Sequence, residues 1–331
     1  MTRAPVVAAS IDELVNGASS REPLVHGDAK SGARFERVRI GGDDYVLKHV
    51  RRDDDWIMRA TGDLSYRAIR VWSSGLLDDV PECIDHTVTG AALTDDGAAL
   101  LMRDVSEYLV PEGDAPISSD QHARFLDHMA QLHAAFWGWH DMVGLTPLVS
   151  RYLWFAPCVV ECERARGFPD AVPRIMGAGW QRFLTLAPRA AEVVMPLLAD
   201  PDPLIGALES TPRTLLHGDW KLGNLGSHPD GRTILVDWAV PGSGPACADL
   251  AWYVALNRRR LPNGWSKEDI LVTYRQALER QGIDTEPWWE TQRALCLLGA
   301  LVQFGWEKAF DETEELAWWE TRALEGARFL R

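Results

Sequence analysis

The stretch from His217 to Trp238 constrains this chain more than any other. It reads His217-Gly218-Asp219-Trp220-Lys221-Leu222-Gly223-Asn224 and, shortly after, Leu235-Val236-Asp237-Trp238. Between the two lies Pro229-Asp230-Gly231, a turn signal in which Pro presets φ and Gly tolerates positive φ. Leu225-Gly226 runs into that turn, and the β-branched, apolar Thr233-Ile234-Leu235-Val236 runs out of it. If His228 to Gly231 form the turn, Ser227 faces Arg232 and Asn224 faces Leu235. Asp237 then lies two residues past the position opposite Asn224, roughly 7 Å along a strand. Both side chains can reach one Mg²⁺ with oxygen ligands at ~2.1 Å while substrate phosphates fill other positions. Asp219 sits on the loop that enters the hairpin, where it can accept a proton from a hydroxyl. His-Gly-Asp alone is a common turn, but the full spacing is hard to obtain by accident.

Asp-x-Lys-x-x-Asn, then Asp beyond a short hairpin, resembles the catalytic base and metal ligands of protein kinases. The glycine after His217 makes the chain look instead like the aminoglycoside phosphotransferase and choline kinase group. Gly244-Pro245-Ala246, followed by Asp249-Leu250-Ala251, is similar to that group's signature beyond the metal aspartate. The resemblance covers nearly the whole chain, with its specific motifs between Leu215 and Ala251. It implies an α+β, bilobal protein-kinase-like fold. A small N-lobe of antiparallel sheet plus helix would span 1–104, and a larger, mostly helical C-lobe 105–331.

The resemblance also implies an ATP-dependent phosphotransferase that uses Mg²⁺ and phosphorylates a hydroxyl of a small molecule. On that reading Asp219 is the base, Lys221 covers the γ-phosphate or is a surface lysine, and Asn224 and Asp237 hold the metal. Lys48, in the apolar strand Tyr45 to Val50, would contact the α- and β-phosphates; a solvated edge lysine is the other reading. Ser31, in a polar loop bracketed by glycines, would offer backbone N–H groups to phosphate, or the loop is an ordinary hairpin turn. It is not a Walker A motif, because Ala33-Arg34 stand where Lys-Ser/Thr would be. Met102 would pack on the adenine ring, with Arg103 and Val105 in the hinge beside it. Asp249 would bond backbone N–H groups of the catalytic loop, and His217 would brace that loop. Gly218 replaces the arginine with which protein kinases sense a phosphorylated activation loop, so activity without phosphorylation is expected.

One departure stands out. Kinases pair the strand lysine with a glutamate on the next helix. No Glu lies between Arg51 and Pro81, and Asp63 is the nearest acidic candidate. A nucleotide-binding pseudokinase or interaction protein on the same fold is therefore the alternative. A metal-dependent hydrolase would need more histidines near Asp219 and Asp237 than His217 and His228.

Elsewhere the pattern is ordinary for a two-lobed enzyme of 331 residues. A β-meander is expected from Glu22 to Val50, turning at Gly41-Gly42-Asp43-Asp44. A helix should follow over Asp53 to Leu77, broken near Thr61-Gly62, then strands at Cys83 to Val88 and Ala98 to Met102. From Ser118 the pattern is helical, with Ser119 as a cap and an apolar stripe that includes His133. Prolines punctuate the helical stretch from Met142 to Leu208, and three helices are expected over Lys267 to Arg331. No apolar run reaches the ~18 residues that span a bilayer. The first twelve residues lack the apolar core of a secretory signal. Five scattered cysteines without a C-x-x-C pair suggest buried thiols in a reducing cytoplasm. A net charge of −14 disfavours nucleic acid and anionic membranes as partners and tolerates a cationic acceptor. The acidic run Asp311 to Glu320 beside Trp318-Trp319 is either a solvated helix face or a wall for an amine-bearing acceptor.

Overall fold

Period-two alternation builds the amino-terminal sheet. The computed structural model describes residues 5–24, 32–167 and 170–330. Strand β1 (Val7–Ala8) is followed by a single helical turn, α1 (Ile11–Leu14), and by β2 (Ala18–Leu24), β3 (Arg34–Ile40) and β4 (Asp43–Val50). β3 and β4 are joined by Gly41-Gly42, at φ 63° and 101°, so Ile40 pairs with Asp43. A two-residue hairpin loop with positive φ matches the twist of its strands and suits glycine. Helices α2 (Trp56–Thr61) and α3 (Arg67–Ser73) follow. Asp55 caps α2 by accepting from the Ile57 and Met58 N–H groups, and Gly62 ends it at φ 65°, where the break is expected.

Next come β5 (Ile84–Asp85), β6 (Val88–Thr94) and β7 (Gly97–Arg103). Sheet order is β1-β6-β7-β4-β3-β2, with β1 parallel to β6 and the other pairs antiparallel. Most of β6 goes beyond the strand expected at Cys83 to Val88, because Gly90, Ala91 and Ala92 carry little strand propensity. Register places Val46 opposite Met102 and Lys48 opposite Leu100, so these four side chains share one face. Leu47 points the other way, into a small core with Val38, Ala99 and Leu101.

The rest is mostly helical. Helix α4 (Ser119–Ala135) is capped by Ser118, one residue earlier than expected, through the Gln121 N–H. Then follow α5 (Leu148–Leu153), α6 (Pro157–Ala165), α7 (Ala171–Leu186), α8 (Pro188–Ala199) and α9 (Asp202–Glu209). Pro157 and Pro188 occupy the first position of their helices, where a missing N–H costs nothing. Cys158 and Cys162, expected as buried thiols, lie exposed on α6, while Cys247 and Cys296 are buried.

Strands β8 (Thr214–Leu216), β9 (Leu225–Ser227), β10 (Thr233–Leu235) and β11 (Gly242–Gly244) frame the His217 to Trp238 segment. β8 pairs with β11, and β9 with β10. Four helices close the chain: α10 (Cys247–Leu256) and the three expected ones, α11 (Lys267–Arg280), α12 (Trp289–Lys308) and α13 (Thr313–Ala327). Helix α12 is buried on almost every side. A Cβ on Gly299 would stand 2.5 Å from the Tyr152 ring, so glycine there sets how closely the two helices approach.

His122 and His133 lie on the buried face of α4. His122 packs edge-on against Trp265 at 4.5 Å, with its Nδ1 2.8 Å from the Tyr253 hydroxyl. Burial pushes its pKa down to about 4. The fold thus favours neutral His122, and that contribution is full above the unfolded value of ~6.5. It should be lost as pH falls from ~6.5 toward 4, at up to ~1.4 kcal/mol per pH unit. Urea unfolding at a series of pH values should show this decline, and His122→Gln should make it shallower.

Candidate active site

A buried carboxylate organises the loop at the centre of the molecule. Asp249, in the first turn of α10, accepts the His217 N–H at 2.8 Å and the Gly218 N–H at 3.0 Å. Arg151 of α5 lies 3.3 Å from it and also donates to the Gly218 carbonyl at 3.1 Å. Burial opposes ionisation of Asp249, but His133, Arg151 and His217 outweigh it and hold the carboxyl below its usual range. Gly218 has φ 87°, and a Cβ there would lie 2.1 Å from the Val240 carbonyl, so the loop admits only glycine. His217 Nδ1 accepts the Asp219 N–H at 3.3 Å, and Nε2–H donates to the Val236 carbonyl at 3.1 Å. Its ring meets the Trp238 face edge-on at 4.7 Å. Burial lowers the pKa of His217, in keeping with a neutral brace.

The loop presents the Asp219 side chain, which is almost wholly buried. Its Oδ2 accepts from Asn224 Nδ2 at 2.8 Å and lies 2.9 Å from Lys221 Nζ. Its Oδ1 accepts from Trp252 Nε1 at 2.9 Å. Asn257 Oδ1 accepts the Leu222 N–H at 2.9 Å and pins the far end of the loop.

The hairpin register differs from the one expected. Ser227 pairs with Thr233 and Leu225 with Leu235. The His228 N–H reaches the Arg232 carbonyl at 3.0 Å, so the loop closes one residue later than the Pro-Asp-Gly signal suggests. Asn224 therefore faces Val236, whose N–H donates to the Asn224 carbonyl at 3.0 Å. Asp237 stands one residue past that position rather than two. Its φ of 63° is left-handed, a conformation Asp tolerates better than most residues and one enriched at functional sites.

Lys48 crosses from β4 to meet Asp237, with Nζ 2.7 Å from Oδ1. Burial opposes ionisation of Asp237, but Lys48, Lys221 and His217 hold its carboxyl below the usual range. Asp63 is not the partner of Lys48. Its carboxylate accepts the Ser65 and Arg67 N–H groups and starts α3. Asp55 instead lines a small cavity of about 50 Å³ together with Lys48, Asp219 and Asp237. Burial raises its pKa, opposed by its bonds to the α2 N–H groups and by Lys48.

A larger cavity of about 840 Å³ runs between the sheet and the loop. Lys48, Met102, Arg103 and Val105 line it from β4, β7 and the segment after β7. Asp219, Lys221, Asn224 and Asp237 line it from the loop and the hairpin. Arg103 is already committed: its N–H donates to the Thr87 carbonyl at 3.0 Å, and its guanidinium bonds Asp85. Ser31 lies outside the described residues. Trp154 borders the small cavity beside Lys48 and, with Trp252, Phe304 and Trp306, gives the larger one an aromatic wall. Trp318 and Trp319 do not line it. Trp318 bonds Glu268 and packs against Lys267 and Arg322, and Trp319 bonds Glu315. The acidic run beside them is matched by Arg258 and Lys267.

The donor set fits magnesium. With Asn224 Nδ2 bonded to Asp219, Asn224 Oδ1 and the Asp237 carboxylate are hard oxygen donors. Among the described residues no cluster of three or more His, Cys, Asp or Glu side chains could cage a metal. Two protein oxygens completed by substrate phosphates is how Mg²⁺ is commonly held.

Three contributors escaped sequence reasoning. Arg151 and Asn257 have no local signature, and Trp252 was hidden among many core tryptophans. The signal for Trp252 was its place three residues after Asp249, on the same helix face.

Residues 27–288 match the sequence profile of the phosphotransferase enzyme family. The chain belongs to that family. No curated protein sequence matches it. Among solved structures, a microcompartment-associated aminopropanol kinase aligns at a TM-score of 0.51 and 16% identity, covering 94% of this chain and 91% of the other. A putative aminoglycoside phosphotransferase from Ralstonia eutropha JMP134 aligns at 0.52 and 16%, covering 94% and 92%. Aminoglycoside phosphotransferase APH(2'')-Ib, solved with ADP, aligns at 0.50 and 10%, covering 96% of both chains. At these identities the likeness is one of fold, the kinase-like α+β fold expected from the motifs. This phosphotransferase has no helix among its described residues long and apolar enough to cross a membrane.

Asp249→Ala should leave Arg151 with a buried charge and two loop N–H groups without an acceptor. It should cost about 3–5 kcal/mol of stability by urea unfolding. A loss below about 1 kcal/mol would contradict the organising role of Asp249.

Proposed function

We propose that this protein is an ATP-dependent O-phosphotransferase that moves the γ-phosphoryl group to a hydroxyl of a small molecule. The observation that carries this is the position of Asp219. One of its oxygens is held beside Asn224 and Lys221, and the other accepts from Trp252, one of the aromatic residues that line the cavity. A base held beside the candidate phosphate and metal ligands, in a cavity with an aromatic wall, suits in-line transfer.

In this reading the acceptor hydroxyl gives its proton to Asp219 as its oxygen attacks the γ-phosphorus. Met102 and Val105 pack against the adenine, with Arg103 at the rim. Lys48 holds the α- and β-phosphates, and Lys221 lies over the γ-phosphate. Asn224 and Asp237 would hold Mg²⁺, which would supply charge neutralisation at the phosphate oxygens. Lys48 and Asp237, ion-paired here, would each take a ligand of its own, phosphate for the first and metal for the second. Asp55, in the same small cavity, keeps Lys48 near a carboxylate once Asp237 is engaged.

The acceptor is a hydroxylated molecule small enough to share the cavity with ATP. An amino alcohol, an amino sugar such as an aminoglycoside, or another sugar-like metabolite is consistent with the aromatic residues that line the cavity. The fold-level likeness to an aminopropanol kinase and to aminoglycoside phosphotransferases supports that range.

ADP release from Mg·ATP, measured across amino alcohols, amino sugars, neutral sugars, choline and macrolides, tests the proposal. One class should stimulate release, and Asp219→Ala should lower turnover by about 10²–10⁴-fold while ATP still binds. Turnover near wild type in that variant would remove Asp219 from its role.

A further inference from the structure

We propose that Trp252 is a positioning residue for the phosphoryl transfer, and that it designates Oδ1 of Asp219 as the oxygen that takes the proton. This rests on the function proposed above and adds to it a residue and an atom.

A carboxylate oxygen offers about two acceptor sites. Oδ2 of Asp219 has both in use, by Asn224 Nδ2 at 2.8 Å and Lys221 Nζ at 2.9 Å, and the three N–H groups of Lys221 let one keep this contact while another meets the γ-phosphate. Oδ1 has one donor, Trp252 Nε1 at 2.9 Å, and keeps a site for an incoming hydroxyl. Trp252 and Asp219 both line the larger cavity, where an acceptor would reach that site. The indole N–H is a donor only. It holds the carboxylate in place without competing for the proton.

The ring has no freedom to let go. Trp252 is 3% exposed, with Trp154 at 5.1 Å and Phe304 at 4.7 Å between ring centroids. The Arg151 guanidinium lies 5.3 Å from its centre and is itself bonded to the Gly218 carbonyl and Asp249. Asp249 and Trp252 are one turn apart on α10. The first holds the backbone of the catalytic loop and the second holds its reactive side chain, so a single helix sets both. During transfer the bond from acceptor oxygen to γ-phosphorus forms and the bond from that phosphorus to the ADP oxygen breaks. The acceptor proton passes to Oδ1, from which solvent removes it after product leaves.

The test compares Trp252→Phe with protein carrying 3-benzothienylalanine in place of Trp252. The second keeps the bicyclic shape and replaces N–H with sulfur. Turnover is read as ADP release from Mg·ATP, with water as acceptor and with each compound of the panel above. Both proteins should lose about 10–100-fold in kcat, the scale of a misplaced reacting group, with the KM for ATP within about 2-fold of wild type. In ¹⁵N-tryptophan spectra the indole resonance that disappears in Trp252→Phe should also move in Asp219→Asn. Wild-type kcat with benzothienylalanine would overturn the proposal and leave Trp252 as core filling. So would an indole resonance unmoved by Asp219→Asn. Full activity in Asp219→Ala, or no turnover by the wild type, would instead count against the function itself, and the spectra still decide the contact.

Discussion

The buried carboxylate of Asp249 is the interaction on which the rest of the site depends. Its two oxygens take the N–H groups of consecutive residues, His217 and Gly218, and so fix the path of the loop that carries Asp219. A buried charge of this kind is tolerated only when paired and hydrogen-bonded. Arg151 and His133 meet that requirement from two other helices. Glycine at 218 follows from the same geometry, because the backbone there turns left-handed against the Val240 carbonyl. The loop is thus anchored from α4, α5 and α10 independently of the bonds that Asp219 makes.

From that anchor the site spreads in two directions. Toward the sheet, Lys48 and Asp237 join β4 to the end of the hairpin through one ion pair. Toward the helices, Trp252 joins Asp219 to an aromatic cluster that continues through Trp154, Phe155 and Phe304. The acidic run of α13 is answered by Arg258 and Lys267 rather than turned toward the cavity.

Local features were legible in the sequence, and features that need distant partners were not. The Gly41-Gly42 hairpin, the break at Gly62 and the three closing helices follow from turn chemistry and periodicity within a few residues. Asp249 could be assigned from its motif, and its bonds to the loop are those expected. The hairpin register failed by one residue because a five-residue loop, His228 to Arg232, replaced the tight turn that Pro-Asp-Gly suggests. Asp63 looked like a partner for Lys48 because it sits on the following helix region, yet a carboxylate two residues before an N–H run is drawn into capping. Arg151, Asn257 and Trp252 act across 98, 35 and 33 positions of chain. No periodicity or short motif reports contacts of that range.

Following the phosphorus atoms of ATP by ³¹P NMR, with wild type and the acceptor that stimulates ADP release, tests the central claim most directly. The account predicts that the γ-phosphorus signal is replaced by that of a phosphomonoester as the ADP signals grow, and that both changes need magnesium. Conversion of the γ-phosphorus to inorganic phosphate alone, or no consumption of ATP, would contradict it.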